Sequence, residues 1–179
     1  MIDIHKDIIE ACKRGERASQ YKLYQLYSKA MFSVSNRLLN NREWAQDVLQ
    51  EAFVDAFQKL NSYRYEAPFG SWLKRIVINK SLNELTRRRA KVMLYEDMQS
   101  FDQVDITEQI DEEALALSVD KIKQAVAKLS DGFRIVFSLY MFEGYDHEEI
   151  ADILHISEST SKTQLMRAKI KVKEQLKTI

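Results

Sequence analysis

The C-terminal third of the chain contains the stretch DHEEIADILHISESTSKTQLMRAK, residues 146–169. Asp146, followed three residues later by Glu149, predicts a capping box at the start of a short helix. Residues 155–157 predict a turn, and a longer helix is expected over about residues 158–177. A short helix and a long helix joined by a three-residue turn are typical of a helix-turn-helix.

The long final helix is predicted to have one apolar face and one basic, exposed face. An angle of about 160° separates Thr163 and Arg167 from the packing position Leu165. Residues 157–179 hold six basic residues against two acidic residues. This pattern fits a recognition helix whose first turns reach base edges in the major groove of DNA. It also fits a three-helix protein-docking domain with a solvated basic face, and the residues alone leave that alternative open.

Two more helices are predicted upstream of the helix-turn-helix. Apolar residues recur at helical spacing over residues 122–129, and residues 133–142 are nearly all apolar, as expected for a buried central helix. Residues 130–132 are predicted to separate these two helices, and residues 143–145 are predicted to form a turn. The C-terminal region is therefore expected to be a small bundle of four helices.

The N-terminal half is also expected to be helical. Three longer helices are predicted there, over about residues 19–39, 43–60 and 72–89. Pro68 disfavours helix at the residue before it, so residues 61–71 are predicted to form a loop. Ser71 is expected to cap the helix that follows. Two tyrosines and an arginine, Tyr63, Tyr65 and Arg64, give this loop groups able to stack on unpaired bases or on each other.

The third of these helices carries a polar stripe. Arg75, Asn79, Asn83 and Arg87 follow one another at intervals of four residues. Asn is a poor residue for a helix interior, so two of them in one stripe suggest a function. Amides flanked by cations suit a phosphate backbone and base edges. Residues 87–89 are all Arg, but cations near a helix C-terminus also favour the helix dipole, so a purely structural role stays open here.

The formal net charge of zero is a cancellation between segments. Residues 1–93 carry a net charge of +7, residues 94–120 carry −9 with no Lys or Arg, and residues 121–179 carry +2. We therefore expect an N-terminal domain over residues 1–93 and an acidic linker over residues 94–118, followed by the C-terminal domain over residues 119–179. A charged surface loop within one domain is the alternative. The linker is hypothesised to keep the two basic domains apart and to discourage DNA binding in the absence of polymerase.

Composition excludes several other classes of protein. Four Gly and one Pro predict an all-α chain of long helices rather than many short strands. A single cysteine, Cys12, excludes a disulfide framework, and no apolar run is long enough for a membrane span, so the cytoplasm is the expected location. The three histidines lack metal-ligand spacing, and no phosphate-binding or nucleophile motif appears. We expect no enzyme activity, no cofactor and no metal.

Three stretches in order resemble one known family. WAQDVLQEAF at residues 44–53 resembles the helix by which sigma factors bind core RNA polymerase. SWLKRIVIN at residues 71–79 resembles the segment that reads the promoter −10 element. The helix-turn-helix over residues 148–169 resembles the one that reads the −35 element. The chain is similar in length and layout to the extracytoplasmic-function (ECF) group of the sigma-70 family, and this likeness implies two small helical domains.

The resemblance also implies roles for individual residues. The polymerase-binding positions are Asp47, Gln50 and Glu51. The positions facing −10 DNA, including a loop that captures a flipped base, are Tyr63, Arg64, Arg75, Asn79, Asn83, Arg87 and Arg88. The positions at the −35 element are His147, Glu148, Thr160, Lys162, Thr163, Met166 and Arg167. The implied partners are core RNA polymerase, promoter DNA and an anti-sigma factor.

Some positions depart from the family pattern. His155 stands where the turn often has Gly, and Ser159 and Ser161 replace a Gly and an apolar residue. The leading alternative is a dimeric helix-turn-helix regulator that acts without polymerase and binds a palindromic site. A protein-docking adaptor is a third possibility, although it would have no use for the Asn79 and Asn83 stripe.

Overall fold

The fold was analysed in a computed structural model that describes residues 4–93 and 119–177. Within these two ranges the regular structure is entirely helical, which confirms the predicted all-α class. The α-helices are α1 (Lys6–Lys13), α2 (Arg17–Leu39), α3 (Arg42–Lys59), α4 (Phe69–Met93), α5 (Val119–Ala127), α6 (Asp131–Met141), α7 (His147–Leu154) and α8 (Glu158–Leu176). A short 3₁₀ helix, Leu60–Ser62, follows α3. The predicted linker, residues 94–118, lies outside the described residues.

The N-terminal helices α2, α3 and α4 pack around one apolar core. Leu23, Leu38, Leu73 and Val77 are almost fully buried in it. Each such side chain contributes roughly 1.5–3 kcal/mol when it leaves water. Phe69, at the first position of α4, is also fully buried. Because Phe69, Leu73 and Val77 face the core, the opposite side of α4 is the one exposed to solvent.

The C-terminal helices pack around α6. Its apolar residues Val136 and Leu139 are fully buried, as are Ile150 of α7 and Ala168 of α8. The predicted capping box at the start of α7 is present, because Asp146 accepts from the Glu149 backbone N–H while Glu149 accepts from that of Asp146. The helix-turn-helix predicted from the sequence is confirmed.

Several helices begin two or three residues earlier than the sequence predicts, among them α4 and α6. Helix α4 starts at Phe69, so Ser71 lies in its first turn and is not the cap. The carbonyl of Pro68, the residue before α4, accepts from the backbone N–H groups of Ser71 and Trp72, as the carbonyl of a residue that precedes a helix commonly does. Helix α6 starts at Asp131, whose negative charge favours an N-terminal turn.

Helix α1 was not predicted. It has only eight residues, and Ile9, Ala11 and Cys12 are buried. Isolated helices this short are marginal, so α1 depends on packing against the rest of the domain. Burial raises the pKa of the Cys12 thiol, as expected for a structural cysteine.

The two helical groups contact each other directly. The Arg134 guanidinium, on α6, donates to the Leu38 carbonyl at the end of α2 over 3.0 Å. The side-chain amide of Asn40 donates to the Ala127 carbonyl over 2.8 Å. The hypothesis that the two basic domains are held apart therefore does not describe this structure, in which polar contacts bring them together.

Candidate nucleic-acid interface

The polar stripe of α4 lies on the solvent side of the helix. Arg75, Asn79, Asn83 and Arg87 are all exposed, while Val77 on the opposite side is buried. Phe69 and Leu73 anchor the start of the helix in the core. The sequence-predicted stripe thus forms one continuous donor and acceptor surface.

Acidic Glu84 pairs with the two arginines at the end of the stripe. Two guanidinium nitrogens of Arg87 donate to its carboxylate, both over 2.8 Å. Arg88 donates to it as well. Hydrogen bonding from Arg87 is the main cause that lowers the pKa of Glu84, and the same bonds raise the pKa of Arg87. The carboxylate of Glu84 therefore holds both guanidinium groups in defined directions.

Arg88 has a second contact that the sequence did not reveal. Its guanidinium carbon lies 3.9 Å from the centroid of the Trp44 ring on α3. Arg88 is half-buried, whereas Arg87 is exposed. This cation–π contact joins α4 to α3, so Arg88 has a packing role beside any contact with nucleic acid.

The loop before α4 is more ordered than its sequence suggests. Tyr63 is only 4% exposed, and its hydroxyl donates to the Ala67 carbonyl over 2.7 Å. Its ring packs against Trp72 with a centroid separation of 5.2 Å. Arg64 is exposed. Of the two predicted loop residues, Tyr63 builds the wall of the loop and Arg64 points a charge into solvent.

A cavity of about 490 Å³ opens beside this loop. Tyr65 is part of its wall and adopts a φ of +62°, which is uncommon for an aromatic residue. The Tyr65 hydroxyl donates to Glu10, and this hydrogen bond is the main cause that lowers the pKa of Glu10. Other lining residues are Tyr27, Met31, Tyr63, Pro68, Ser71 and Lys74. An aromatic wall with a nearby ammonium group suits a flat, electron-rich ligand.

The recognition helix α8 presents most of its predicted residues to solvent. Lys162, Thr163 and Met166 are exposed. The Lys162 ammonium pairs with Glu158 over 2.6 Å. Arg167 is half-buried, and its Nε atom is buried without a hydrogen-bond partner among the described residues. Charged groups thus lie along one exposed side of the helix.

The first turn of α8 is fixed by hydroxyl groups. Ser157 is the N-cap and accepts from the Thr160 backbone N–H over 3.1 Å. The hydroxyls of Ser157 and Thr160 are 2.7 Å apart. His155 adopts a φ of +54°, the left-handed conformation for which many turns use Gly. The departure at His155 therefore preserves the predicted turn.

A hydrogen bond joins the two helices of the helix-turn-helix. His147 Nδ1 lies 2.9 Å from the Ser161 hydroxyl, and the His147 ring stacks on Tyr140 at 4.8 Å. Ser161 is fully buried. Ser161 stands where the family often has an apolar residue, and its hydroxyl has a polar partner in His147. The sequence did not indicate this partner. Glu148 is exposed beside this pair.

The predicted polymerase-binding residues share one face of α3. Asp47, Gln50 and Glu51 are exposed. Glu51 and Asp55 lie 3.4 and 3.1 Å from the Lys80 ammonium of α4. Val54, in the same surface, is 54% exposed. This face combines carboxylates, an amide and an apolar side chain, the mixture found in protein interfaces.

The described ranges contain neither a metal-binding cluster nor a membrane-spanning helix. Residues 4–93 and 119–177 contain no cluster of three or more His, Cys, Asp or Glu side chains placed to hold a metal ion. No helix in the same ranges is long and apolar enough to cross a membrane.

Two family matches cover most of the described structure. Residues 23–91 match the family described as Sigma-70 region 2, and residues 120–172 match Sigma-70 region 4. The first contains the α3 face and the α4 stripe, and the second contains the helix-turn-helix. Both regions in one chain define a promoter-specificity subunit of RNA polymerase. The chain belongs to the extracytoplasmic-function group of the sigma-70 family.

Named relatives agree with these matches. The chain is 27% identical over 172 residues to the RNA polymerase sigma-H factor of Pseudomonas aeruginosa, covering 92% of this chain and 89% of that protein. It is 27% identical over 183 residues to the ECF sigma factor SigW of Bacillus subtilis, covering 97% of each. These relatives do not favour the alternative of a dimeric regulator that acts without polymerase.

Solved structures show the same fold. One is the sigma factor RpoE of Bartonella quintana in complex with the anti-sigma factor NepR, with a TM-score of 0.60 and 23% identity. That match covers 88% of this chain and 96% of the other. Another is CnrH in complex with the cytosolic domain of CnrY, with a TM-score of 0.58, 21% identity and coverage of 98% and 99%.

Proposed function

We propose that this sigma factor uses three separate surfaces: the α3 face for core RNA polymerase, the loop and stripe of α4 for the −10 element, and α8 for the −35 element. The observation that carries the assignment is the exposed stripe from Arg75 to Arg87 on a helix whose opposite side is buried. A continuous row of amides and guanidinium groups can reach both phosphates and base edges.

The −10 surface would act on an unpaired base. The cavity beside Tyr65 has a volume of about 490 Å³, within the range of pockets that hold small planar ligands. Unstacking one base costs a few kcal/mol, which stacking in an aromatic pocket can offset. Asn79 and Asn83 would then hold the strand beside the pocket. The expected role is positioning of DNA without any bond chemistry by the protein itself.

The −35 surface would read a duplex. Thr163 and Met166 are exposed one turn apart on α8, and Arg167, the residue after Met166, is half-buried beside them. These positions are flanked by Thr160 and Lys162 on α8 and by His147 and Glu148 at the start of α7. An Arg that reads a guanine edge contributes about 1–3 kcal/mol of discrimination. The His147–Ser161 hydrogen bond would fix the angle at which α7 and α8 enter the groove.

The α3 surface would dock on a basic surface of the polymerase. Asp47 and Glu51 are negative groups on a domain whose net charge is positive, which favours one orientation of docking. An anti-sigma factor is proposed as a second protein partner, by likeness to the fold of the two solved complexes. Because core RNA polymerase is the proposed partner, we propose the cytoplasm as the location of this protein.

The three surfaces can be separated by binding measurements on the full chain. Asp47→Asn with Glu51→Gln should weaken binding to core polymerase, while Asn79→Ala with Asn83→Ala should leave that binding intact and weaken open-complex formation on promoter DNA. Gln124→Ala, exposed on α5 and outside the three surfaces, serves as a control for amide removal. Equal loss of polymerase binding in both double variants would contradict the division of labour.

A further inference from the structure

The carboxylate of Glu143, in the turn between α6 and α7, is held by two cations of the other domain. It pairs with the guanidinium of Arg37 on α2 and lies 2.9 Å from the ammonium of Lys74 on α4. The Glu143 side chain is only 4% exposed, whereas those of Arg37 and Lys74 are 25% and 28% exposed. Glu143 is therefore inserted between two cations that remain partly open to solvent.

One of the paired cations, Lys74, belongs to the start of the proposed −10 surface. Lys74 follows Ser71 by three residues, so the two share one side of α4, and Lys74 and Arg75 both line a cleft beside the loop. Lys74 also lines the cavity of the proposed base pocket. The Glu143 carboxylate thus occupies a cationic position directly beside the polar stripe.

A cleft of about 690 Å³ separates the loop and α4 from the C-terminal domain at this point. The charged residues of the N-terminal side are three cations, Arg64, Lys74 and Arg75, and one carboxylate, Glu66, while the C-terminal side contributes Glu143 and Glu149. Opposite charges face each other across the cleft. A carboxylate and a phosphate are both anions, so an ammonium and a guanidinium that bind the one can also bind the other.

We propose that Arg37 and Lys74 form a phosphate-binding pair for the DNA backbone beside α4, and that Glu143 fills this pair when no DNA is bound. The inference rests on the proposed −10 role of α4 and extends it to two residues outside the stripe. Glu143 and a backbone phosphate compete for the same cations. DNA binding at α4 therefore requires the α6–α7 turn to leave.

Only molecules in which Glu143 has left the pair can bind DNA there. The apparent affinity for DNA is therefore the intrinsic affinity multiplied by the fraction of such molecules. Glu143→Gln should raise the affinity of the free full chain for a fluorescein-labelled, single-stranded oligonucleotide of mixed sequence by roughly tenfold. Asp152→Asn, on the exposed side of α7, makes the same change in net charge and should alter it less than about twofold. Adding Arg37→Gln and Lys74→Gln to Glu143→Gln should remove the gain.

Two outcomes of this titration overturn the proposal. One is an equal gain in Glu143→Gln and Asp152→Asn, which would show only a change in net charge. The other is a gain that persists when Arg37 and Lys74 are also replaced. Thermal unfolding of each variant verifies that the chain is folded.

A second measurement uses the unmodified protein. A zero-length carbodiimide reagent should join Lys74 to Glu143, and saturating oligonucleotide should reduce the yield of that cross-link severalfold by mass spectrometry. The Lys80–Asp55 pair, 3.1 Å apart, is the internal control and should be unaffected. A Lys74–Glu143 yield that DNA leaves unchanged overturns the inference. Because no polymerase is present, this result is independent of whether the protein supports transcription.

Discussion

Arg88 places its guanidinium 3.9 Å from the centre of the Trp44 ring, and this contact joins the helix of the polar stripe to the helix of the polymerase-binding face. Lys80 makes a second connection between the same helices through Glu51 and Asp55. Helices α3 and α4 therefore hold the two proposed binding surfaces in a fixed relation. A displacement of one helix would alter both surfaces.

Replacement of Arg88 should affect stability more than replacement of its neighbour. Arg88→Ala removes the contact with Trp44 and one bond to Glu84, so the free energy of unfolding should fall by about 1–2 kcal/mol. Arg87→Ala removes two bonds to Glu84 but no aromatic contact, and at this exposed position the loss should be no more than about 0.5–1 kcal/mol. Urea titration followed by circular dichroism measures both. Equal effects would show that the Trp44 contact contributes nothing to stability.

The capping box of α7 should have a measurable effect on the helix-turn-helix. Asp146→Ala removes the acceptor for the Glu149 backbone N–H, and the free energy of unfolding should fall by about 1 kcal/mol. Asp152→Ala removes a carboxylate from the same helix without removing a cap. Hydrogen exchange of the α7 amides should accelerate in the Asp146 variant and not in the Asp152 variant.

Acid should destabilise the protein partly through Glu84. Hydrogen bonds from Arg87 and Arg88 lower the pKa of Glu84 in the folded chain, so its stabilising contribution is present above the unfolded pKa. That contribution is lost as the pH falls through the lower, folded pKa. Glu84→Gln should reduce the decrease in unfolding free energy below about pH 4.5. An unchanged pH profile would argue against this carboxylate as a source of acid sensitivity.

Sequence patterns predicted the elements whose signals are local. Asp146 and Glu149, three residues apart, predict the start of α7, and Ser157 stands directly before α8. Helix α1 was missed because its stability depends on tertiary packing. Contacts such as Arg88 with Trp44, His147 with Ser161 and Glu143 with Lys74 join distant parts of the sequence, so no local pattern could have indicated them.

The same distinction applies to the candidate site. The stripe from Arg75 to Arg87 was predicted because helical periodicity alone places its members on one face. The burial of Tyr63 was not predicted, because it depends on the hydrogen bond from its hydroxyl to the Ala67 carbonyl and on the packing of its ring against Trp72. Exposure of an aromatic residue in a loop is therefore poorly predicted by composition.

Base reading by α8 can be tested at one residue. Arg167→Ala should weaken binding of the polymerase holoenzyme to a cognate −35 site by about 1–3 kcal/mol and should have little effect on a site mutated at the base that it reads. Lys173→Ala, exposed and further along α8, should weaken both sites about equally. A uniform loss in the Arg167 variant would assign that side chain to phosphate contact instead.

The central claim concerns promoter-specific initiation, and run-off transcription tests it most directly. Core RNA polymerase would be incubated with fragments of the host genome, with and without the purified chain, and the transcripts mapped. The account predicts discrete new start sites that share a −10 and a −35 element and that disappear with the Asn79→Ala and Asn83→Ala double variant. The absence of any start site that depends on the added protein would contradict it.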